Sequence, residues 1–275
     1  EEYAEAHGLY VRALALQRAN LGPDHADVAN TLSSIGYVLH QSGDHSGSLE
    51  AYQDCLRIRR EAAAASGGSE ESSSEIAATL THIALVLLKK DMQDMALEVL
   101  LESYRIRKVV QERSAGSGEE GYKGMGRDLA FTLYNIAVIH HHRGMYEYAL
   151  AYYRETARVE RSSLGTDHRD LGITLYNMGQ IYYQTGEYES ALRHYRKALR
   201  IERESFGDDH PTCARTWNEI GNIELQRGNA GPMMEAFSEA ARIYRKAGMS
   251  DDCLVVYGKS LYGFEVVHPN AAGAA

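Results

Sequence analysis

The chain has 275 residues, of which 44% are hydrophobic and 24% are charged, and its formal net charge is −9. This acidic balance argues against a nucleic-acid partner, because phosphate binding depends on clustered Lys and Arg side chains. No apolar run reaches the roughly eighteen residues that a transmembrane helix needs, so no membrane insertion is expected. Three cysteines without a CxxC motif, together with the lack of a hydrophobic leader, predict a reducing, cytoplasmic location.

Residues 1–20 are predicted to form one amphipathic helix, and five pairs of helices follow it. Apolar and small residues recur in steps of three and four, which is the spacing of one face of an α-helix. The pairs are predicted at about 27–60, 76–112, 128–162, 170–204 and 212–247. A residue suited to a tight turn separates the two helices of each pair, and these residues are Gly43, Asp91, Gly144, Gly186 and Gly228.

The five pairs align with one another column by column. The small residue of the first helix is Gly36, Ala84, Ala137, Gly179 or Gly221. A large apolar residue of the second helix falls on Tyr52, Leu100, Tyr153, Tyr195 or Phe237. Because close approach of two helices needs a small residue opposite a large one, this pairing predicts antiparallel packing within each pair.

Residues 1–20 match only the second helix of such a pair. The first helix of that repeat is missing, which would leave an apolar face uncovered. We therefore expect either residues upstream in a longer protein or a contact with another chain, which includes self-association through this half repeat. The missing initiator Met also suggests a fragment.

These columns resemble the tetratricopeptide repeat, a helix–turn–helix unit with alternating small and large positions. Loops such as LGPDHADVA at 21–29 and LGTDHRDLG at 164–172, together with TLxxIG and Tyr-x-x-Ala-Leu, look like the kinesin light chain subtype with its 42-residue repeat. The resemblance implies an all-α fold. It would be one right-handed superhelical α-solenoid over residues 1–265, with a capping helix at 250–264 and a disordered tail at 266–275.

Two inserts lengthen the repeat, one at Glu61–Glu75 and the other at Ser114–Gly126. Both are rich in Gly, Ser and Glu and can bury little apolar surface. We therefore predict flexible loops there.

The sequence offers no catalytic or metal-binding motif in a suitable setting. The GSGEEG run at 116–121 lacks the preceding strand that a dinucleotide-binding loop requires. The three consecutive histidines His140–His142 cannot all ligate one metal from a regular helix, and we expect them at the surface. Because the loop histidines recur with the repeat, a structural role is expected for His25, His168 and His210. We predict no enzyme activity, no cofactor and no metal.

A binding surface is the stronger prediction. In this repeat the first helices line the inside of the solenoid, and their inward columns are rich in Asn, Gln, Tyr and His. Asparagine both donates to and accepts from a peptide backbone, while tyrosine adds apolar area with a polar tip. The predicted peptide-binding residues are Tyr134, Asn135, His141, Tyr176, Asn177, Gln180, Tyr183, Asn218 and Asn222. The second repeat adds Asn30, Ser33, Ser34, Tyr37 and His40 to these columns.

The resemblance to kinesin light chains implies that Asn135 and Asn177 clamp the backbone of a bound peptide. An alternative is that these asparagines only satisfy neighbouring backbone groups. Arginines also crowd the ends of the second helices, where a solvated face is favoured over a basic docking ridge.

The sequence therefore predicts a non-catalytic scaffold or adaptor that binds a protein or peptide partner in its groove. Two alternatives remain open. The chain could be an oligomerisation or assembly subunit of a larger complex, or its groove could be occupied by the chain itself in an autoinhibited module.

Overall fold

A computed structural model describes residues 2–114 and 119–248 of the chain, and all regular structure in these ranges is α-helical. The all-α prediction is confirmed. The predicted capping helix at 250–264 and the predicted tail at 266–275 lie outside the described residues. The helices are α1 Glu2–Leu21, α2 Ala26–Ser42, α3 His45–Ser66, α4 Glu70–Lys89, α5 Gln93–Ser114, α6 Glu119–His142, α7 Tyr146–Ser163, α8 Arg169–Gln184, α9 Tyr188–Phe206, α10 Pro211–Gln226 and α11 Ala230–Lys246.

The chain divides into two compact units, an N-terminal unit Glu1–Arg143 and a C-terminal unit Gly144–Ala275. In the N-terminal unit, α2 packs on α3 and α4 packs on α5, while α1 lies against α2. In the C-terminal unit, α8 packs on α9 and α10 packs on α11. Four of the five predicted helix pairs are therefore present, two in each unit. Of the helices that the structure describes, none combines the length and the apolarity needed to cross a membrane.

A residue with left-handed backbone geometry ends the first helix of each pair or follows it closely. Gly43 has a φ of 90° and Gly186 has a φ of 78°. Glycine adopts this conformation without the steric cost that a Cβ atom imposes. Asp91 takes the same place in the third repeat with a φ of 58°, and it is the one non-glycine residue with positive φ in the described ranges. The breaks predicted from the sequence are confirmed.

The small residue of the first helix faces an aromatic ring of the second helix. A Cβ atom placed on Gly36 would lie 2.9 Å from the ring of Tyr52, and one on Gly179 would lie 2.8 Å from the ring of Tyr195. Real Cβ atoms do not approach other atoms so closely, because protein interiors are already packed to crystal-like density. Glycine in this column therefore lets a buried tyrosine lie against the backbone of the neighbouring helix.

The repeated loop histidines cap the helices that follow them. Nδ1 of each accepts a hydrogen bond from the backbone N–H two residues later, at 3.2 Å for His25 and at 3.3 Å for His168 and His210. The first N–H groups of a helix have no partner inside the helix, so a side-chain acceptor there stabilises its start. The structural role expected for these histidines is confirmed.

A hydrogen bond joins the second helix of one repeat to the first helix of the next, and it is buried at two junctions of the C-terminal unit. At three junctions a threonine hydroxyl donates to a side-chain oxygen fourteen residues earlier: Thr31 to Gln17 at 2.6 Å, Thr174 to Glu160 at 3.1 Å, and Thr216 to Glu202 at 2.8 Å. The two glutamates are only 4% and 6% exposed. We call this position the junction column.

The two junction-column glutamates of the C-terminal unit favour the protonated state. Burial raises the pKa of Glu160 to about 8 and the pKa of Glu202 to about 7. The hydrogen bonds from Thr174 and Thr216 act in the opposite direction but do not cancel the effect of burial. In the folded protein Glu160 therefore keeps its proton at neutral pH.

Arginines take the junction column at the two junctions that follow Gln17 in the N-terminal unit. Nη1 of Arg59 donates to Oγ1 of Thr79 at 2.6 Å. Nη1 of Arg107, which is 8% exposed, donates to Oδ2 of Asp128 at 2.9 Å. Along the chain, the column therefore holds a neutral amide at Gln17, then two arginines, and then two glutamates in the C-terminal unit.

Exposed ion pairs tie the ends of second helices to the loops that lead into the same repeats. The pairs are Arg57 with Asp24 at 2.9 Å, Arg200 with Asp167 at 2.8 Å, and Arg242 with Asp209 at 2.5 Å. Such exposed pairs each stabilise a protein by only about 0–1 kcal/mol. These arginines already have carboxylate partners, which agrees with a solvated face.

The predicted flexible loops are wrong over much of their length. Helix α3 continues to Ser66, and α4 begins at Glu70 after Ser69, whose hydroxyl accepts from the backbone N–H of Ser72 at 3.1 Å. Residues 62–65 are all alanine, the strongest helix former, and this local preference outweighs the Gly/Ser-rich composition. In the second insert α5 ends at Ser114 and α6 begins at Glu119, and residues 115–118 lie outside the described ranges.

The glycine column yields a test of packing. We expect Gly36→Ala to lower the free energy of unfolding by about 1–3 kcal/mol, because the new methyl group meets the buried Tyr52 ring. Gly8→Ala is the matched control in α1, where a Cβ atom would have no neighbour within 4 Å. That change should raise the free energy of unfolding by about 0.5–1 kcal/mol through helix propensity. Urea unfolding followed by circular dichroism measures both, and a Gly36→Ala protein as stable as wild type would contradict the packing.

The junction-column glutamates yield a test of pH dependence. Their pKa values are higher in the folded than in the unfolded protein, so they stabilise the fold fully below the unfolded pKa, and this contribution is lost as pH rises through about 7 and 8. Gln17 shows that glutamine fits this column. We expect Glu160→Gln with Glu202→Gln to match wild type in thermal midpoint near pH 4, below the ordinary glutamate pKa, and to exceed it near pH 9.

The control for this experiment is Glu204→Gln, which makes the same chemical change at an exposed residue of α9. Each variant is compared with wild type at the same pH, so the pH-dependent contributions of groups common to all the proteins cancel. His194, whose pKa is lowered by burial, is one such group. A double variant whose midpoint differs from wild type by the same amount at both pH values would show that the carboxyl groups are not protonated in the fold.

Candidate functional site

Helices α8 and α10 bring most of the predicted peptide-binding residues of the C-terminal unit onto one surface. Both are first helices of their pairs, and successive turns place the inward columns on the same side. The ring of Tyr176 in α8 lies under the guanidinium of Arg215 in α10, with 4.3 Å between the guanidinium carbon and the ring centroid. We call this surface the α8–α10 face, formed by Tyr176, Asn177, Gln180, Tyr183, Arg215, Glu219 and Asn222.

The lower layer of the α8–α10 face is a buried polar cluster. The hydroxyl of Tyr176 donates to Oε1 of Glu219 at 3.3 Å, and the ring of Tyr176 meets the ring of Tyr195 edge-on with 5.2 Å between centroids. The hydroxyl of Tyr195 is fully buried and has no hydrogen-bond partner among the described residues. Stacking of a cation on an aromatic face and the tyrosine–glutamate bond together hold the two helices in one register.

Electrostatics in this layer depend on Glu219 and the groups around it. Burial raises the pKa of Glu219, while hydrogen bonds from Tyr176 and Asn222 and the nearby charge of Arg215 act to lower it. Burial also raises the pKa of Tyr176 and of Tyr195 well above the ordinary value, so both phenols stay neutral. The layer is therefore a hydrogen-bonded base in which both tyrosine side chains remain neutral.

The upper layer of the face consists of partly exposed amide and phenol groups. Asn177, Gln180, Tyr183 and Asn222 are all partly accessible, and the ring of Tyr183 lies 5.9 Å from the ring of Tyr188. Asn218, which the sequence placed in the same set, is instead buried at 3% exposure. Of the predicted residues in this unit, Tyr176 is therefore part of the base, Asn218 is buried, and the other four are partly exposed.

The predicted residues of α6 belong to the N-terminal unit. Tyr134 is partly exposed, whereas Asn135 is 1% exposed and donates through Nδ2 to the carbonyl oxygen of Phe131 at 2.8 Å. In this conformation Asn135 satisfies a backbone group of its own helix. His140 and His141 are buried, so the expectation that the three histidines lie at the surface is wrong for these two, whereas His142 is exposed. Burial lowers the pKa of His140.

Sequence reasoning missed a cleft in the N-terminal unit. It has a volume of about 440 Å³ and lies between α1, α2 and α4. The inward residues of α2 that the sequence identified form one side of this cleft, but α1 forms the other. The signal was present in the spacing of Tyr3, Ala6 and Tyr10, which places them on one face of α1.

A second depression of about 480 Å³ lies beside Trp217 and the arginine stripe of α9. Arg200 pairs with Asp167 and Glu204, and Arg203 pairs with Asp208. Arg196 lies 3.5 Å from Glu224. Each of these three arginines already has a carboxylate partner, so none of them is left unpaired to bind an anion in the depression.

Metal ligands do not converge anywhere in residues 2–114 and 119–248. No three His, Cys, Asp or Glu side chains come together there in an arrangement that could hold a metal ion.

The repeated helix pairs, the left-handed turns and the junction column define a helical-repeat protein. The tetratricopeptide repeat model matches residues 1–61, 128–204 and 174–247, which together make up more than half of the chain. The chain belongs to the tetratricopeptide repeat family. A search of curated protein sequences gives no match.

Solved structures agree with this fold. The chain is similar to BtubC (BKLC) from P. vanneervenii, with 16% identity, a TM-score of 0.70, and coverage of 90% of this chain and 93% of that chain. It is also similar to a Podosopora anserina putative kinesin light chain, with 14% identity, a TM-score of 0.61, and coverage of 82% and 99%. YrrB, a TPR protein with an unusual peptide-binding site, aligns with 14% identity, a TM-score of 0.55, and coverage of 91% and 97%. The fold is an α-solenoid, and its neighbours include kinesin light chain-like proteins.

Proposed function

We propose that the chain is a non-catalytic scaffold whose α8–α10 face binds an extended segment of a partner protein. Tetratricopeptide repeats are typically protein–protein interaction scaffolds, and this gives the class of function. The observation that supports the specific site is the pairing of a buried, hydrogen-bonded base with four partly exposed polar side chains above it. An extended peptide needs few kinds of contact: donors and acceptors for its backbone, and apolar area for its side chains.

The exposed groups meet these needs. The amides of Asn177 and Gln180 both donate and accept, so each can pair with one peptide N–H or C=O group. Tyr183 supplies a flat apolar surface with a polar tip. Because the base beneath is already ordered, binding would not have to order it, and less conformational entropy is lost on association. Asn135 is not part of the proposed site, because its side-chain amide is buried and donates to the carbonyl oxygen of Phe131.

Removing the amides tests the proposal. We expect Asn177→Ala with Gln180→Ala to weaken binding of the peptides selected by wild type from a random peptide array by roughly tenfold or more, because two hydrogen bonds are lost. Affinities measured by calorimetry for the selected peptides give the comparison.

The control variant is Asn20→Ala with Gln53→Ala, which removes the same two side-chain types from exposed positions on α1 and α3. It should bind like wild type. Selected peptides that bind both double variants equally well would overturn the assignment of the α8–α10 face, even with the fold unchanged.

Helix α1 supports a second candidate function, assembly through self-association. It has no buried residue, and Leu9 and Leu16, seven residues apart on one face, are 54% and 65% exposed. Exposed apolar side chains in line along a helix are typical of a surface that another helix covers. The occupant proposed here is α1 of a second copy of the chain.

Sedimentation equilibrium tests this alternative. We expect the wild-type chain to form dimers, and Leu9→Ser with Leu16→Ser to shift the population to monomers, because the apolar contact is lost. Met234→Ser changes a similarly exposed residue of α11 and should leave the dimer intact. A wild-type chain that remains monomeric at high concentration would exclude this assembly.

A further inference from the structure

The cleft between α1, α2 and α4 is lined chiefly by tyrosine rings. Tyr3 and Tyr10 of α1 form one wall, and Tyr37 of α2 forms the other. The floor is Tyr52 of α3 with His82 of α4, whose rings lie 5.3 Å apart between centroids. Four phenol rings and an imidazole thus surround one opening of about 440 Å³ in the N-terminal unit.

Three of these rings are accessible from outside. Tyr3, Tyr10 and Tyr37 are 47%, 38% and 52% exposed, while Tyr52 is 2% exposed. Single exposed tyrosines are ordinary on protein surfaces, but three that converge on one cleft over a buried fourth are not explained by packing alone. The glycine column contributes to this arrangement, because Gly36 allows the ring of Tyr52 to lie directly beneath α2.

The charge of the cleft favours a cation. Among the described residues that line it there is one carboxylate, Glu2, and no Lys or Arg. The face of an aromatic ring carries negative electrostatic potential, so several rings around one opening attract a positive group. The chain as a whole carries a formal charge of −9, which adds long-range attraction for a basic partner. An anion would meet ring faces and Glu2, with no Lys or Arg to offset them.

We infer that this tyrosine cleft binds a cationic side chain, Arg or Lys, presented by an extended segment of a partner protein. The guanidinium or ammonium group would stack on the exposed rings of Tyr10 and Tyr37, and the two serines of the α2 wall, Ser33 and Ser34, would offer hydroxyls to the peptide backbone. The site lies within the N-terminal unit and does not depend on the α8–α10 face. The tyrosine cleft would select a positively charged side chain, a preference that is not proposed for the α8–α10 face.

Matched peptides test this inference on the full chain. The probe is an acetylated, amidated Gly-Ser-Arg-Ser-Arg-Ser-Gly peptide with an uncharged fluorophore, followed by fluorescence anisotropy. A second peptide replaces both arginines with citrulline, which keeps the shape and removes the charge. A third replaces them with proline, because proline-rich segments also dock on aromatic surfaces. We expect the arginine peptide to bind about three- to tenfold more tightly than either of the others.

Variants identify the cleft as the site. Tyr37→Ala and Tyr10→Ala should each weaken binding of the arginine peptide about three- to tenfold, since each removes one ring face. Tyr37→Phe keeps the ring and should retain affinity. Tyr148→Ala, which removes an equally exposed tyrosine from α7, and the Asn177→Ala with Gln180→Ala protein should both bind like wild type. Because both tested tyrosines are exposed, the alanine variants are expected to fold.

Several outcomes would overturn the inference. These are no binding of the arginine peptide by wild type, equal binding of the citrulline peptide, tighter binding of the proline peptide, or unchanged affinity in Tyr37→Ala. If the arginine peptide loses affinity only for the Asn177→Ala with Gln180→Ala protein, and not for the tyrosine variants, it binds on the α8–α10 face, and this result would also count against the cleft. If the Asn177→Ala with Gln180→Ala change does not weaken binding of the array-selected peptides, but the arginine peptide binds as expected here, the tyrosine cleft remains the binding site.

Discussion

The buried hydrogen bond of the junction column is the interaction on which the stacking of repeats depends. Burial of apolar surface drives helices together but has no direction, so by itself it allows neighbouring helices to slip. A slipped junction would leave a buried hydroxyl such as that of Thr174 and a buried carboxyl such as that of Glu160 without partners, at a cost of about 1–3 kcal/mol for each group. At the next junction, the bond from Thr216 to Glu202 fixes α10 against α9, which pairs with α8, and Arg215 of α10 lies over Tyr176 of α8.

Much of the fold could be predicted from the sequence because its signals are local and repeated. A glycine or aspartate at each turn, such as Gly186 or Asp91, acts through backbone conformation alone. The inserts could not be predicted in the same way, because composition and local propensity disagree there. Gly and Ser favour a loop, whereas the four alanines at 62–65 favour a helix and extend α3 to Ser66.

The candidate sites were predicted less completely, because a column gives the direction of a side chain but not its depth. Asn135 and Asn177 share a column, yet Asn135 is buried against its own helix and Asn177 is partly exposed. Depth depends on how neighbouring helices cover each position, and that is a property of tertiary packing. The tyrosine cleft could not be predicted for a related reason. It forms only where Tyr10 of α1 and Tyr37 of α2 come together, and the periodicity of each helix does not show which residues of another helix lie opposite.

The repeats look alike in sequence but are not interchangeable, and the junction column shows why. At the junction after the first insert, Arg59 bonds to Thr79, and its guanidinium lies 3.5 Å from the carboxylate of Glu75, one turn before that threonine. A glutamate in place of Arg59 would face a like charge there. At Glu160 the neighbouring Asp170 also carries negative charge, but protonation of Glu160 removes the repulsion that an ionised pair would create. A carboxylate one turn before the threonine is thus accommodated in two ways, by a cation in the column at Arg59 and by a protonated, neutral acid at Glu160.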